Sequence, residues 1–191
     1  MRRPDAARVP LTVLELIVLG RLPHREERET SLRIAQAVAP LCHVEHLLDR
    51  TVRQLSGGEL RRAHVARVLA QIWQREGSSG SEPRLLLLDE PAAGLDLHHA
   101  HELFRGLREV AKRDIGILVS MHDLSMAAAH ASRIVVMHDG DIVADGDARD
   151  VLTVDLLRRA FHLEARVVPH PDDGRPVIVA DRRASAQARV C

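Results

Sequence analysis

Apolar positions along the 191-residue chain change period several times, and each change marks an element. The stretch Thr12 to Leu19 is dense in Leu, Ile and Val. A charged segment follows, Arg25 to Ala39, in which Leu32, Ala35 and Ala39 recur at helical spacing until Pro40 stops them. Thr12 to Arg53 is therefore expected to be mostly helical. A long helix is expected from Gly58, because Leu60, Ala63, Ala66, Leu69 and Trp73 step by three or four residues. Gly77-Ser78-Ser79-Gly80-Ser81 should end it in a flexible loop.

Beyond that loop the pattern shortens. Leu85 to Leu88 is a continuous apolar run, the signature of a strand covered on both faces, and Ile117 to Val119 and Ile134 to Met137 repeat it with helical stretches between. Such alternation predicts an α/β fold with a mostly parallel sheet. Asp139-Gly140 lies between Val135-Val136-Met137 and Ile142-Val143-Ala144, so the sheet should end in an antiparallel hairpin. Val151 to Phe161 reads as one more helix. Val167-Val168 and Val177-Ile178-Val179 read as a closing hairpin around Asp173-Gly174, and the tail from Arg182 should fray.

Composition narrows the function classes. With 46% hydrophobic and 28% charged residues the chain can bury the core of one domain. Lys+Arg and Asp+Glu both number 27, which removes any bulk attraction to nucleic acid or to an anionic membrane surface. The longest apolar run, Leu11 to Gly20, contains Thr12 and Glu15 and falls short of the roughly 20 residues that span a bilayer. Met1-Arg2-Arg3-Pro4-Asp5 has no apolar stretch directly behind it and is not expected to be a secretory signal. Cys42 and Cys191 make no disulfide framework, in keeping with a reducing cytosol.

Two segments carry chemistry. Leu85-Leu86-Leu87-Leu88-Asp89-Glu90 sets two carboxylates at the carboxyl end of a strand, where open α/β sheets bind ligands. This is a Walker B arrangement: Asp89 suits Mg²⁺, and Glu90 suits a water attacking a γ-phosphate. The bland alternative is an acidic turn before Pro91. Leu55-Ser56-Gly57-Gly58-Glu59 opens the long helix, and its two glycines would let a helix N-terminus with free N–H groups approach an anion. Ser56 and Glu59 also form a capping box, which stabilises a helix start without any ligand. That reading leaves the glycine pair unexplained.

Taken in order, Leu55 to Glu59, the long helix, Leu85 to Glu90, Ala93-Gly94-Leu95-Asp96 and Met121-His122-Asp123 resemble the ATP-binding cassette (ABC) ATPases, over about Thr12 to Gly146. The resemblance implies a P-loop NTPase fold with a helical subdomain, ATP and Mg²⁺ as ligands, and hydrolysis coupled to transport. It implies that Ser56, Gly57 and Gly58 contact the γ-phosphate of ATP held by a second ATPase subunit. It further implies that Asp96 signals across that dimer, that His122 contacts the γ-phosphate, that Asp89 holds Mg²⁺ and that Glu90 is catalytic. The implied partners are transmembrane permease subunits and, indirectly, a solute-binding protein, with the ATPase peripheral on the cytoplasmic face of the inner membrane. Thr12-Val13-Leu14-Glu15-Leu16 and Leu19 to His24 look like the ATPases of importers of haem, ferric siderophores and cobalamin, and Ala66 to Trp73, the Gly/Ser-rich insertion and Pro83-Arg84 after it are most similar to those of haem importers.

The chain departs from the family in several places. Arg61-Arg62 stands where Gln-Arg is common, a surface change expected to be tolerated, and Ala93 replaces a usual Ser. Lys112, the single lysine, follows Ala111, so no Gly-Lys pair exists for a Walker A loop. Met1 to Leu11 holds no Gln for a Q-loop, and there is no Tyr to stack on adenine. The chain is thus expected to be the C-terminal part of one ABC ATPase domain, with a helical subdomain at about 12–55, a signature-to-switch region at 56–146 and a C-terminal extension at 147–191. His98 and His101 have metal-ligand spacing, but a solvated helix face explains them better; His43 and His46 receive no role. Two rivals remain. A DNA-repair ATPase of this superfamily would need long coiled coils, and no heptads or basic patch are present. A non-catalytic remnant without a nucleotide site of its own shares every motif.

Overall fold

The computed structural model describes residues 10–74 and 83–181. The chain divides after Ser120 into two compact units. The expected loop at Gly77 to Ser81 and the tail from Arg182 lie outside the described residues.

In the first unit, Thr12 caps helix α1 (Val13–Val18) in a reciprocal box with Glu15. A 3₁₀ turn at Leu19–His24 leads to α2 (Arg28–Val38), and three short 3₁₀ turns lead on to α3 (Gly57–Ile72). The expected helical character of Thr12 to Arg53 is observed. On α2, however, Ser31, Ile34, Ala35 and Val38 enter the core, while Leu32 stays half-buried. Val13, Ile17, Ala35, Val38, Ala66 and Leu69 are fully buried and join the three helices.

Two glycines permit the tightest crossings. A Cβ on Gly20 would lie 2.1 Å from the Arg67 carbonyl oxygen, where the first 3₁₀ turn meets α3. Beside it, Arg21 is buried against Glu26 and donates to the Ala70 and Trp73 carbonyls at 2.6 and 2.7 Å. A Cβ on Gly106 would lie 1.8 Å from the Leu41 carbonyl oxygen, where α4 (Leu97–Ala111) packs on the Pro40–Cys42 turn.

Helix α4 connects β1 (Arg84–Asp89) to β2 (Ile115–Ser120), which pair in parallel from Arg84↔Ile115 to Asp89↔Ser120. The apolar run was expected to be covered on both faces, and it is not. Leu86 is 2% exposed, whereas Leu85, Leu87 and Leu118 are 60, 64 and 59% exposed. Successive strand residues point to opposite faces, and among the described residues only one face is packed.

In the second unit, α5 (Leu124–His130) precedes an antiparallel pair, β3 (Ile134–His138) and β4 (Asp141–Gly146). Asp139 and Gly140 both take positive φ, 51° and 89°, the two-residue turn expected from the sequence. The helix expected from Val151 to Phe161 is instead α6 (Ala148–Val151) and α7 (Val154–Phe161). Leu152 leaves helical geometry to fill the core at 1% exposure, and Thr153 then caps α7. The closing hairpin is observed as β5 (Ala165–Pro169) with β6 (Pro176–Ala180). Arg175, at its turn, donates to the Ala128 and Ala129 carbonyls at the end of α5, a favourable place for a cation. Among the described residues, hydrogen bonding thus forms three two-stranded sheets, and β1–β2 is the parallel one.

Candidate functional site

Asp89 ends β1 and Glu90 follows it, and both are held by the last residue of β2. The Ser120 hydroxyl donates to the Asp89 carboxylate, and the Glu90 N–H donates to the Ser120 carbonyl at 3.2 Å and to its Oγ at 3.1 Å. The parallel register that sets Asp89 opposite Ser120 therefore makes a three-residue platform. Glu90 has φ of 42°, a left-handed conformation that costs a non-glycine residue about 1–3 kcal/mol and persists only where neighbours impose it. After it the chain turns tightly, with Ala93 N–H bonded to Glu90 O at 3.1 Å and Leu95 N–H to Ala92 O at 3.1 Å.

Ser56 caps α3 in the reciprocal box: its Oγ accepts from the Glu59 N–H at 3.3 Å, and its own N–H donates to Glu59 Oε2 at 2.7 Å. Those bonds, the backbone one foremost, hold the Glu59 carboxyl below its usual range. The capping reading of Ser56 and Glu59 is thus fulfilled, and it does not consume the helix start. Gly57 and Gly58 are the first two residues of α3, whose N–H groups have no helical acceptor. A Cβ on Gly57 would meet nothing within 4 Å, so open space remains above the helix end, whereas one on Gly58 would meet Leu95 Cδ2 at 2.9 Å. One glycine keeps the cradle open; the other admits the turn that follows Glu90.

Asp96 is the N-cap of α4, accepting from the His99 N–H at 2.9 Å and pairing with His99 Nδ1 at 2.7 Å. His122 is exposed in the second unit, directly before Asp123, which caps α5 through the Ser125 and Met126 N–H groups. Ser56, Gly57, Gly58, Asp89, Glu90 and Asp96 therefore all lie in the first unit, and His122 lies in the second. Among the described residues, no three His, Cys, Asp or Glu side chains group as metal ligands; His43 instead pairs with Glu102 at 3.1 Å.

Sequence reasoning missed Ser120, Leu95 and the contact made by Arg61. Ser120 was legible only as a polar residue closing an apolar run. Leu95 drew no notice as the neighbour of Gly58. The Arg61-Arg62 pair is expected on the surface: Arg61 is exposed, with its Nη1 donating to the Glu90 carbonyl at 2.9 Å, whereas Arg62 is 3% exposed.

Known proteins extend the picture. The chain is 42% identical over 183 residues to the hemin import ATP-binding protein HmuV of Burkholderia thailandensis, covering 92% of this chain and 67% of that protein. It is 40% identical over 182 residues to HmuV of Escherichia coli O157:H7, covering 95% and 69%. The chain belongs to the ABC ATPases. No family model matches the sequence. The fold of an inward-facing metal-chelate type ABC transporter superposes with a TM-score of 0.74 at 21% identity, over 97% of this chain and 71% of that one. As an ABC ATPase the chain is an ATP-binding subunit of a transporter, of the class that hydrolyses ATP to power transport. No described helix is long and apolar enough to cross a membrane.

Proposed function

We propose that this chain drives the import of haem (hemin) or a related iron chelate, with Glu90 as the hydrolytic carboxylate of its ATPase site. The observation that carries the reading is the joint placement of Asp89 and Glu90 at the carboxyl end of a parallel strand and of a glycine-opened helix start in the same unit. Glu90, fixed at its backbone by Ser120, aims a negative side chain that can orient and polarise a water. The Asp89 carboxylate and Ser120 hydroxyl are hard oxygen donors of the kind Mg²⁺ takes, and Asp89 would hold it. When bound, Mg²⁺ supplies charge neutralisation on the phosphate oxygens. The N–H groups of Gly57 and Gly58, with the Ser56 hydroxyl, fit the γ-phosphate of a nucleotide presented by a second copy. Asp96 and His122 take the dimer-signalling and γ-phosphate roles. Substrate choice rests on the hemin-import relatives, and permease subunits, a solute-binding protein and a peripheral position on the cytoplasmic face of the membrane follow from the same likeness.

Two substitutions test the site in a polypeptide that carries these residues behind a phosphate-binding loop. Glu90→Gln preserves shape and removes the charge, so ATP binds and closes a dimer while hydrolysis stops. Ser56→Arg fills the cradle with a bulky cation, so ATP binds but no dimer closes around it. Size-exclusion chromatography with ATP should show a dimer for the first and a monomer for the second. Near-normal turnover of Glu90→Gln, or normal ATP-dependent dimers of Ser56→Arg, would sink the assignment at that residue.

A further inference from the structure

We propose that Arg61 is the positioning residue of Glu90, and that through it the cradle at the start of α3 sets the aim of the carboxylate in its own chain. The catalytic part of this inference rests on the reading of Glu90 given above. Four hydrogen bonds hold the Glu90 backbone. Its N–H is taken by Ser120 O and Oγ, and its carbonyl accepts from the Ala93 N–H at 3.1 Å and from Arg61 Nη1 at 2.9 Å. The Ser120 bonds belong to the neighbouring strand and the Ala93 bond to the turn itself. Arg61 is the member of this set that reaches in from a helix, and it stands five residues after the cap Ser56.

The geometry gives Arg61 leverage. Glu90 sits at φ 42°, a conformation that relaxes unless both of its peptide groups are held. A guanidinium bonded to the carbonyl fixes the second peptide group with a charge-assisted bond. Because the bond ends on the carbonyl, it sets where the Glu90 side chain originates without requiring the carboxylate's own charge. The same helix grips the other end of the turn, since Gly58 lies against Leu95 with no room for a Cβ to be added freely. Helix α3 therefore holds the segment from Glu90 to Leu95 at both ends. A displacement of Ser56-Gly57-Gly58 on meeting a partner's nucleotide would be passed to Glu90 of the same chain, coupling the two sites of a dimer.

Hydrogen exchange by NMR on the 191-residue chain tests the clamp directly. In Arg61→Ala the Ala93 amide should exchange about 10-fold faster or more, because its acceptor is no longer fixed, while the α3 core amide of Leu69 keeps its protection. Arg61→Lys should restore part of the Ala93 protection. In the loop-bearing polypeptide, Arg61→Ala should lower kcat about 10–100-fold with KM for ATP unchanged, and Arg61→Lys should recover part of the loss. Unchanged Ala93 exchange and Glu90 shifts in Arg61→Ala would overturn the clamp. If Glu90→Gln abolishes turnover while Arg61→Ala keeps its kcat, the positioning role is wrong. If Glu90→Gln itself keeps turnover, the reading of Glu90 fails and the exchange result still decides the clamp.

Discussion

Replacing Glu26 by Gln should cost the first unit about 3 kcal/mol at neutral pH, and the loss should vanish in acid. The Glu26 side chain is 3% exposed and that of Arg21 2%, and the two meet through paired bonds of 2.8 Å, with the Ser31 hydroxyl adding a third to the carboxylate at 2.9 Å. The Arg21 guanidinium, above all, pulls the Glu26 carboxyl from its ordinary 4.5 down to about 2, against a smaller opposing effect of burial. A carboxyl held that far below its unfolded value contributes about 3 kcal/mol. Because the folded value is the lower one, the contribution is complete above about pH 4.5 and disappears as the pH falls toward 2. Glutamine keeps the volume but leaves Arg21 buried without a counter-charge, so the variant should show the deficit at pH 7 and lose it across that acid window. Urea unfolding followed by the fluorescence of Trp73, the chain's single tryptophan, reads this where it matters, since Arg21 also bonds to the Trp73 carbonyl. Comparing the two proteins at each pH isolates the contribution of this one carboxyl. A deficit below about 1 kcal/mol at pH 7, or one that stays constant from pH 5 to pH 2, would refute the reasoning.

Two further outcomes follow from packing. Gly106→Ala drives a methyl to 1.8 Å from the Leu41 carbonyl, a backbone atom that cannot rotate away, and should cost about 1–3 kcal/mol or more in urea unfolding. Gly58→Ala meets only the flexible end of Leu95 at 2.9 Å and should cost clearly less, so equal losses would contradict this account of the two glycines. Burial pushes the Cys42 thiol well up from its ordinary range and leaves it inaccessible. In a Cys191→Ser background a thiol reagent should therefore label Cys42 only on unfolding, and rapid labelling of the native chain would show that the core around it opens.

The sequence by itself determined most local elements and the family. Turn chemistry at Asp139-Gly140, the capping box at Ser56 and Glu59, and the period of α3 depend on interactions within a few residues, and such interactions are written in order along the chain. The order of the Ser56-Gly57-Gly58, Asp89-Glu90, Asp96 and His122 segments was enough to point to the family. What only the tertiary structure decided depends on residues far apart in sequence. An apolar run cannot say whether one or both of its faces will be packed, and Leu85 and Leu87 remain outside because the described residues cover one side. The period of Val151 to Phe161 does not reveal that Leu152 is needed in the core and breaks the helix there. Nor does local sequence distinguish Arg61 as a surface residue from Arg61 as a clamp. Its partner is the carbonyl of Glu90, a group every residue carries, and only the packing of α3 beside the end of β1 selects that one.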